Sequence, residues 1–160
     1  WRVLPLRPRL VFFAEGAHGC VFLKVIARDR SGSGAGDTVQ LRFHDSEQDW
    51  REASAREVAQ LRSFTRTYLK CAWFNAADED TRHLRIFALN PGRDGTPESV
   101  RLHFHKGETI AYKAAVHDLD NDGGFEVVLC SDVDNDGRAN RTDRSRVTAL
   151  VKQFLKLGWF

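Results

Sequence analysis

SVRLHFHKGETIAYKAAVH (residues 99–117) decides the fold. In its first half Val100, Leu102 and Phe104 alternate with Arg101, His103 and His105, the period-2 pattern of a strand with one face in a core. Lys106-Gly107-Glu108 reads as a hairpin turn. Thr109–His117 then resumes the alternation with Ile110, Tyr112, Ala114 and Val116 directed inward. Strands joined by so tight a turn run antiparallel, so this stretch predicts a meander rather than a parallel α/β sheet.

Upstream, Arg9–Glu15 (RLVFFAE) is a dense apolar run rich in β-formers and reads as a buried strand. Exposed, such a run would be an aggregation hazard. Gly16–Gly19 turns it into a second strand, Cys20–Ala27, as a hairpin. Ser31–Gly36 (SGSGAG) is a loop without side chains to pack, and Thr38–His44 alternates as a half-buried strand. Ser46 is placed to cap a helix over about residues 47–68, with Trp50, Ala53, Val58, Leu61, Phe64 and Tyr68 on one stripe. Lys70–Phe74, Leu84–Leu89 and Phe125–Cys130 are short apolar strands, and Asn90–Glu98 is a turn-forming loop. A closing helix over about residues 144–157 buries Val147, Leu150, Val151, Phe154 and Leu155. The expectation is one α+β domain over residues 1–160, mainly antiparallel meander hairpins with a central and a C-terminal helix.

At 160 residues the chain is long enough to bury a core. Hydrophobic residues make up 42% and charged residues 29%, ordinary for a globular protein. No apolar run approaches the roughly 18–20 residues of a membrane span. The chain starts at Trp1 and holds no Met, which reads as a fragment of a longer one. A net charge of +2 does not indicate nucleic acid, and another protein is the expected partner. Cys20, Cys71 and Cys130 are too few and too scattered for a disulfide framework. As free thiols they point inside the cell; bound calcium would instead suit an extracellular or periplasmic setting.

Two acidic loops carry the chemistry. The first runs Asp118-Leu-Asp120-Asn-Asp122-Gly123-Gly124-Phe-Glu126, the second Asp132-Val-Asp134-Asn-Asp136-Gly137-Arg138-Ala-Asn140-Arg-Thr-Asp143. Calcium takes six to eight oxygens at about 2.3–2.6 Å from a loop curled around it. Carboxylates at positions 1, 3 and 5 point inward, and glycine at position 6 permits the turn. The carbonyls of Gly124 and Arg138, the side chains of Glu126 and Asn140, and Asp143 could complete the shells. Magnesium, with its tight octahedron and retained waters, fits less well. The alternative is that Asp, Asn and Gly are simply good turn residues, and that Arg138, Arg141, Arg144 and Arg146 neutralise the second loop.

The first loop, leading into Val127-Val128-Leu129, resembles the calcium loops of FG-GAP β-propeller blades. The second, with Asn140, Asp143 and a following helix, resembles one half of a dockerin. The doubled Asp-X-Asp-Asn-Asp-Gly pattern is also similar to thrombospondin type 3 repeats. Each resemblance covers only the loops, and what it implies is the ion, calcium, and the candidate ligands named above.

His103-Phe-His105 sets two imidazoles on one strand face, a spacing that can bind zinc. No activated serine or cysteine and no phosphate-binding glycine loop stands out. Three functions therefore compete. The first is a non-enzymatic binding module with calcium-stabilised acidic loops. The second is an intracellular protein–protein interaction domain, pleckstrin-homology-like in architecture, whose acidic loops are plain turns. The third is a metal-dependent hydrolase using His103, His105 and the acidic loops.

Overall fold

The computed structural model describes residues 9–15, 21–28, 38–43, 50–69, 82–89, 97–134 and 136–157, with side chains for 53–68, 83–89, 97–134 and 136–157. In chain order the elements are β1 (Arg9–Glu15), β2 (Val21–Arg28), β3 (Thr38–Phe43), β4 (Trp50–Glu52), α1 (Ala55–Leu69), β5 (Arg82–Leu89), β6 (Ser99–Lys106), β7 (Thr109–His117), β8 (Val127–Cys130) and α2 (Arg141–Leu155). Among the described residues the strands form one sheet in the order β4-β3-β2-β1-β5-β6-β7-β8. The protein is thus α+β, with one helix central and one C-terminal. The antiparallel meander read from residues 99–117 is present as β5 to β8. The hairpin of Arg9–Glu15 with the next strand is present as β1 and β2.

The departure is at the middle of the sheet. β1 pairs with β5 in parallel, Phe12 opposite Leu84 and Glu15 opposite Phe87. Two antiparallel meanders, β1–β4 and β5–β8, therefore meet at one parallel seam. Three other expectations are corrected. The central helix starts at Ala55, not near Glu47, because Trp50–Glu52 pairs with β3 as an edge strand. Its start is fixed by a capping box: Glu57 N–H donates to Ser54 Oγ at 3.2 Å, and Ser54 N–H donates to Glu57 Oε1 at 3.0 Å. The C-terminal helix begins three residues before Arg144, at Arg141. Ile110 is exposed rather than inward, because the register slips after Phe104: Phe104 faces Tyr112 but His105 faces Ile110. A bulge of one residue moves the next side chain off the core face. The expected strand Lys70–Phe74, the turn Gly16–Gly19, the loop Ser31–Gly36, most of Asn90–Glu98, the Ser46 cap, Cys20 and Cys71 lie outside the described residues.

The core lies between the helices and one face of β5–β8. Leu61, Phe64 and Tyr68 of α1 meet Val147, Leu150, Val151 and Phe154 of α2 over Leu84, Ile86, Val100, Leu102, Phe104 and Val116. The Tyr68 ring lies nearly parallel to those of Phe64 and Phe104, with centroids 6.4 and 6.1 Å away. These contacts follow the sequence periods, i/i+3/i+4/i+7 on the helices and every second residue on the strands.

The alternate residues of β5 and β6 occupy the other face. His83 and His105 pair across the strands with ring centroids 4.6 Å apart. His105 is only 7% exposed. Burial first, then the nearby His83, Arg85 and His103, push its pKa down to about 4, with the Glu108 backbone opposing weakly. The unfolded chain therefore takes up a proton near pH 6.5 that the folded chain refuses until about pH 4. Stability contributed by the neutral ring is complete above pH 6.5 and falls as the pH drops from there towards 4. We expect urea unfolding to show a loss of roughly 2–3 kcal/mol from this ring across that window. His105→Leu should lack that component; an equal acid loss in the variant would assign it to other groups.

Candidate metal centre

Both acidic loops leave an element of the core and fold back on themselves through their own carboxylates. In the first, Asp118 N–H donates to the Glu98 carbonyl at 2.9 Å and Glu126 N–H to the His117 carbonyl at 3.1 Å, which closes the ends of the loop. Asp118 accepts from Asp122 N–H at 3.1 Å and Gly123 N–H at 2.8 Å. Asp120 accepts from Asp122 N–H at 3.2 Å, and Asp122 from Gly124 N–H at 2.7 Å. Leu119 N–H donates to Glu126 Oε2 at 2.7 Å.

The second loop repeats the pattern position by position. Asp132 accepts from Asp136 N–H at 3.1 Å and Gly137 N–H at 2.8 Å. Asp134 accepts from Asp136 N–H at 3.2 Å and Asp136 from Arg138 N–H at 2.9 Å. Gly123 and Gly137, the sixth residues, have φ of 89° and 94°, where an L side chain is strained. The matching sequence patterns thus produce matching backbones.

Carboxylate oxygens of Asp118, Asp120, Asp122 and Glu126 come within 4.8 Å of one another, as do those of Asp132, Asp134 and Asp136. That separation fits inside the roughly 4.6–5.2 Å diameter of a calcium–oxygen shell. Both groups could hold a metal ion. Asp120 has its pKa raised, first by loss of water within the loop and then by the charges of Asp122 and Glu126. Asp134 is also raised, first by burial and then by Asp143 and Asp136, while Arg146 works against the shift. Repulsion of this kind is what a bound cation would relieve.

The remaining expected ligands take part in the same hydrogen-bond network. Gly124 N–H is held by Asp122. The Arg138 carbonyl accepts from Asn140 Nδ2 at 3.1 Å, and Asn140 Oδ1 accepts from Thr142 N–H at 2.7 Å, so Asn140 is the N-cap of α2. Asp143, fully buried, accepts from the N–H groups of Val133 at 2.9 Å, Asp134 at 3.1 Å and Asn140 at 2.7 Å. It joins the second loop to the first turn of α2 and stands outside the Asp132–Asp134–Asp136 group. Arg146 Nη1 lies 3.4 Å from Asp134 Oδ2, the one member of the expected arginine set with an ion pair among the described residues.

No protein-family model, curated protein or solved structure matches the chain.

The chemistry therefore rests on this geometry alone. One feature that sequence patterns missed lies beside the first loop. Between β8 and α2 a groove of about 580 Å³ is lined by Glu126, Val128, Arg141, Arg144, Thr148 and Lys152. Its cations recur along one side of α2, a helical spacing that is present in the sequence but is also that of any solvated face. Cys130 is half-buried, and burial pushes its thiol pKa up, away from the range of a reactive nucleophile. Among the described residues no helix is long and apolar enough to cross a membrane.

Proposed function

We propose that the chain is a non-enzymatic binding module in which calcium rigidifies the segment from Asp118 to Asp143. The observation that carries this is the convergence of four carboxylates, Asp118, Asp120, Asp122 and Glu126, around one loop. An all-oxygen donor set on a curled, glycine-turned loop favours calcium over softer ions. Calcium would neutralise the crowded charges of the first loop and fix Glu126, which also borders the groove against α2. Arg141, Arg144 and Lys152 there suit an anionic group on a protein partner.

The second function, an interaction domain with plain turns, is favoured by one specific observation. Each loop already satisfies its carboxylates with its own N–H groups, as ordinary Asx turns do.

Calorimetric titration of chelator-treated protein with calcium separates the two. Under the calcium proposal, saturable heat appears and is lost in an Asp120→Ala, Asp134→Ala double variant. An absence of heat up to millimolar calcium would make the loops plain turns and leave the interaction domain as the better account.

A further inference from the structure

We propose that the outer edge of β8 and the cationic side of α2 together take an extended peptide of a partner protein by strand addition, with acidic side chains at alternate positions. The proposal rests on the binding-module function proposed above and does not require the calcium. β8 ends the sheet: among the described residues it pairs with β7 alone. Ser131 N–H donates to the Lys113 carbonyl at 3.0 Å, continuing the β7–β8 register by one pair. Antiparallel alternation then points the N–H and C=O groups of Val127 and Leu129 to β7 and those of Val128 and Cys130 outward. An outward row of this kind is what an added strand bonds.

The groove beside this edge supplies the charge. Its volume is about 580 Å³, and Arg141, Arg144 and Lys152 of α2 line it together with Val128. All three cations are exposed, and among the described residues none forms an ion pair. Glu126 is the one carboxylate among the described lining residues, and its Oε2 accepts from Leu119 N–H at 2.7 Å within the first loop. The local excess is therefore positive and suits carboxylates. From Arg141 to Lys152 the helix rises about 16 Å, the length of about five residues of strand, comparable with the four residues of β8.

The two faces of the edge set the pattern of the peptide. Val128 and Cys130 pack against the core, so Leu129, 58% exposed, lies on the opposite face. An added strand alternates in the same way. Its side chains on the α2 face meet Arg141, Arg144 and Lys152, and those on the other face cover Leu129. Acidic residues alternating with apolar ones fit both faces. A second copy of the chain fits less well. Pairing two β8 edges about a twofold axis would bring both α2 helices to the same side of the seam, cations against cations.

The test uses a fluorescent synthetic peptide of alternating Glu and Val, with two control peptides: Gln in place of Glu, and Pro in place of Val. Binding is followed by fluorescence anisotropy in chelator and in millimolar calcium, and amide hydrogen exchange is read by NMR. We expect saturable binding that weakens about tenfold or more with either control and in an Arg144→Glu, Lys152→Glu variant. The amides of Val128 and Cys130 should gain protection from exchange, while those of Val127 and Leu129 change little. The urea midpoint of the variant establishes that it folds. No saturable binding at millimolar peptide, binding unchanged in the variant or with the proline peptide, or protection that misses Val128 and Cys130 overturns the proposal. Protection of these amides that grows with protein concentration in the absence of peptide would assign the edge to a second copy and overturn it too. Peptide binding in either condition stands whatever the calcium calorimetry shows, and saturable calcium heat without peptide binding leaves the calcium module intact, so the two proposals fail separately.

Discussion

Asp143→Ala should destabilise the protein by about 3–5 kcal/mol, because each buried donor left without an acceptor costs about 1–3 kcal/mol. Asp143 is fully buried and its two oxygens accept from the N–H groups of Val133, Asp134 and Asn140. Alanine leaves those donors without their acceptor, and water can reach the Val133 site only by displacing a side chain that is 1% exposed. The substitution also removes one half of the α2 capping box, worth about 1 kcal/mol in itself. Asp143→Asn, which keeps one oxygen acceptor, should recover part of the loss. Urea unfolding at pH 7 is the measurement. A change below about 1 kcal/mol would mean that the second loop relaxes into water and that Asp143 does not anchor it.

Phe104→Ala should cost about 3–5 kcal/mol, the range for emptying an aromatic site in a core. The Phe104 ring is wholly buried and lies against Tyr68, which in turn lies against Phe64, so it connects the sheet to α1. Rigid strands on either side, β5 and β7, limit collapse into the vacated space, and that cavity adds to the lost burial. Phe104→Leu should cost much less, because most of the volume is kept. If the urea midpoints of the alanine and leucine variants coincide, the ring does not fill a packed site.

Much of this core was legible in the sequence because both helix and strand periods are clean there. Val100, Leu102, Phe104, Ala114 and Val116 are buried as their alternation implies, and Val147, Leu150, Val151 and Phe154 as their helical spacing implies. The parallel seam was not legible: an apolar strand such as RLVFFAE carries no mark of the direction of its neighbour. The start of α1 misled because Ser46 and Ser54 each precede acidic residues, and the pairing of Trp50–Glu52 with β3 decided between them. In the acidic loops the backbone was readable from Asp and Gly positions, since those residues make their own turns. Which loop is tied to the core was not. Leu119 and Val133 hold the same second position, yet Leu119 is 71% exposed and Val133 is 1% exposed. In the second loop Asp143, part of the α2 capping box, accepts from Val133 N–H and ties that position to the helix. His83 stands far from His105 in sequence, and cross-strand pairing alone brings the two rings together.

The parallel seam has a consequence for how the chain is made. Phe12 finds Leu84 only after the whole of β2, β3, β4 and α1 has been synthesised, a delay of about 4–14 s at roughly 5–20 residues per second. Both meanders consist of local pairings that close quickly, whereas the junction between them carries the entropy of a long loop. During that delay one side of β1 is an unpaired, apolar β-edge, the kind of template on which chains of the same sequence add to one another. A segment that is an aggregation hazard when exposed is thus also one whose final neighbour arrives late, so its exposure lasts until β5 emerges.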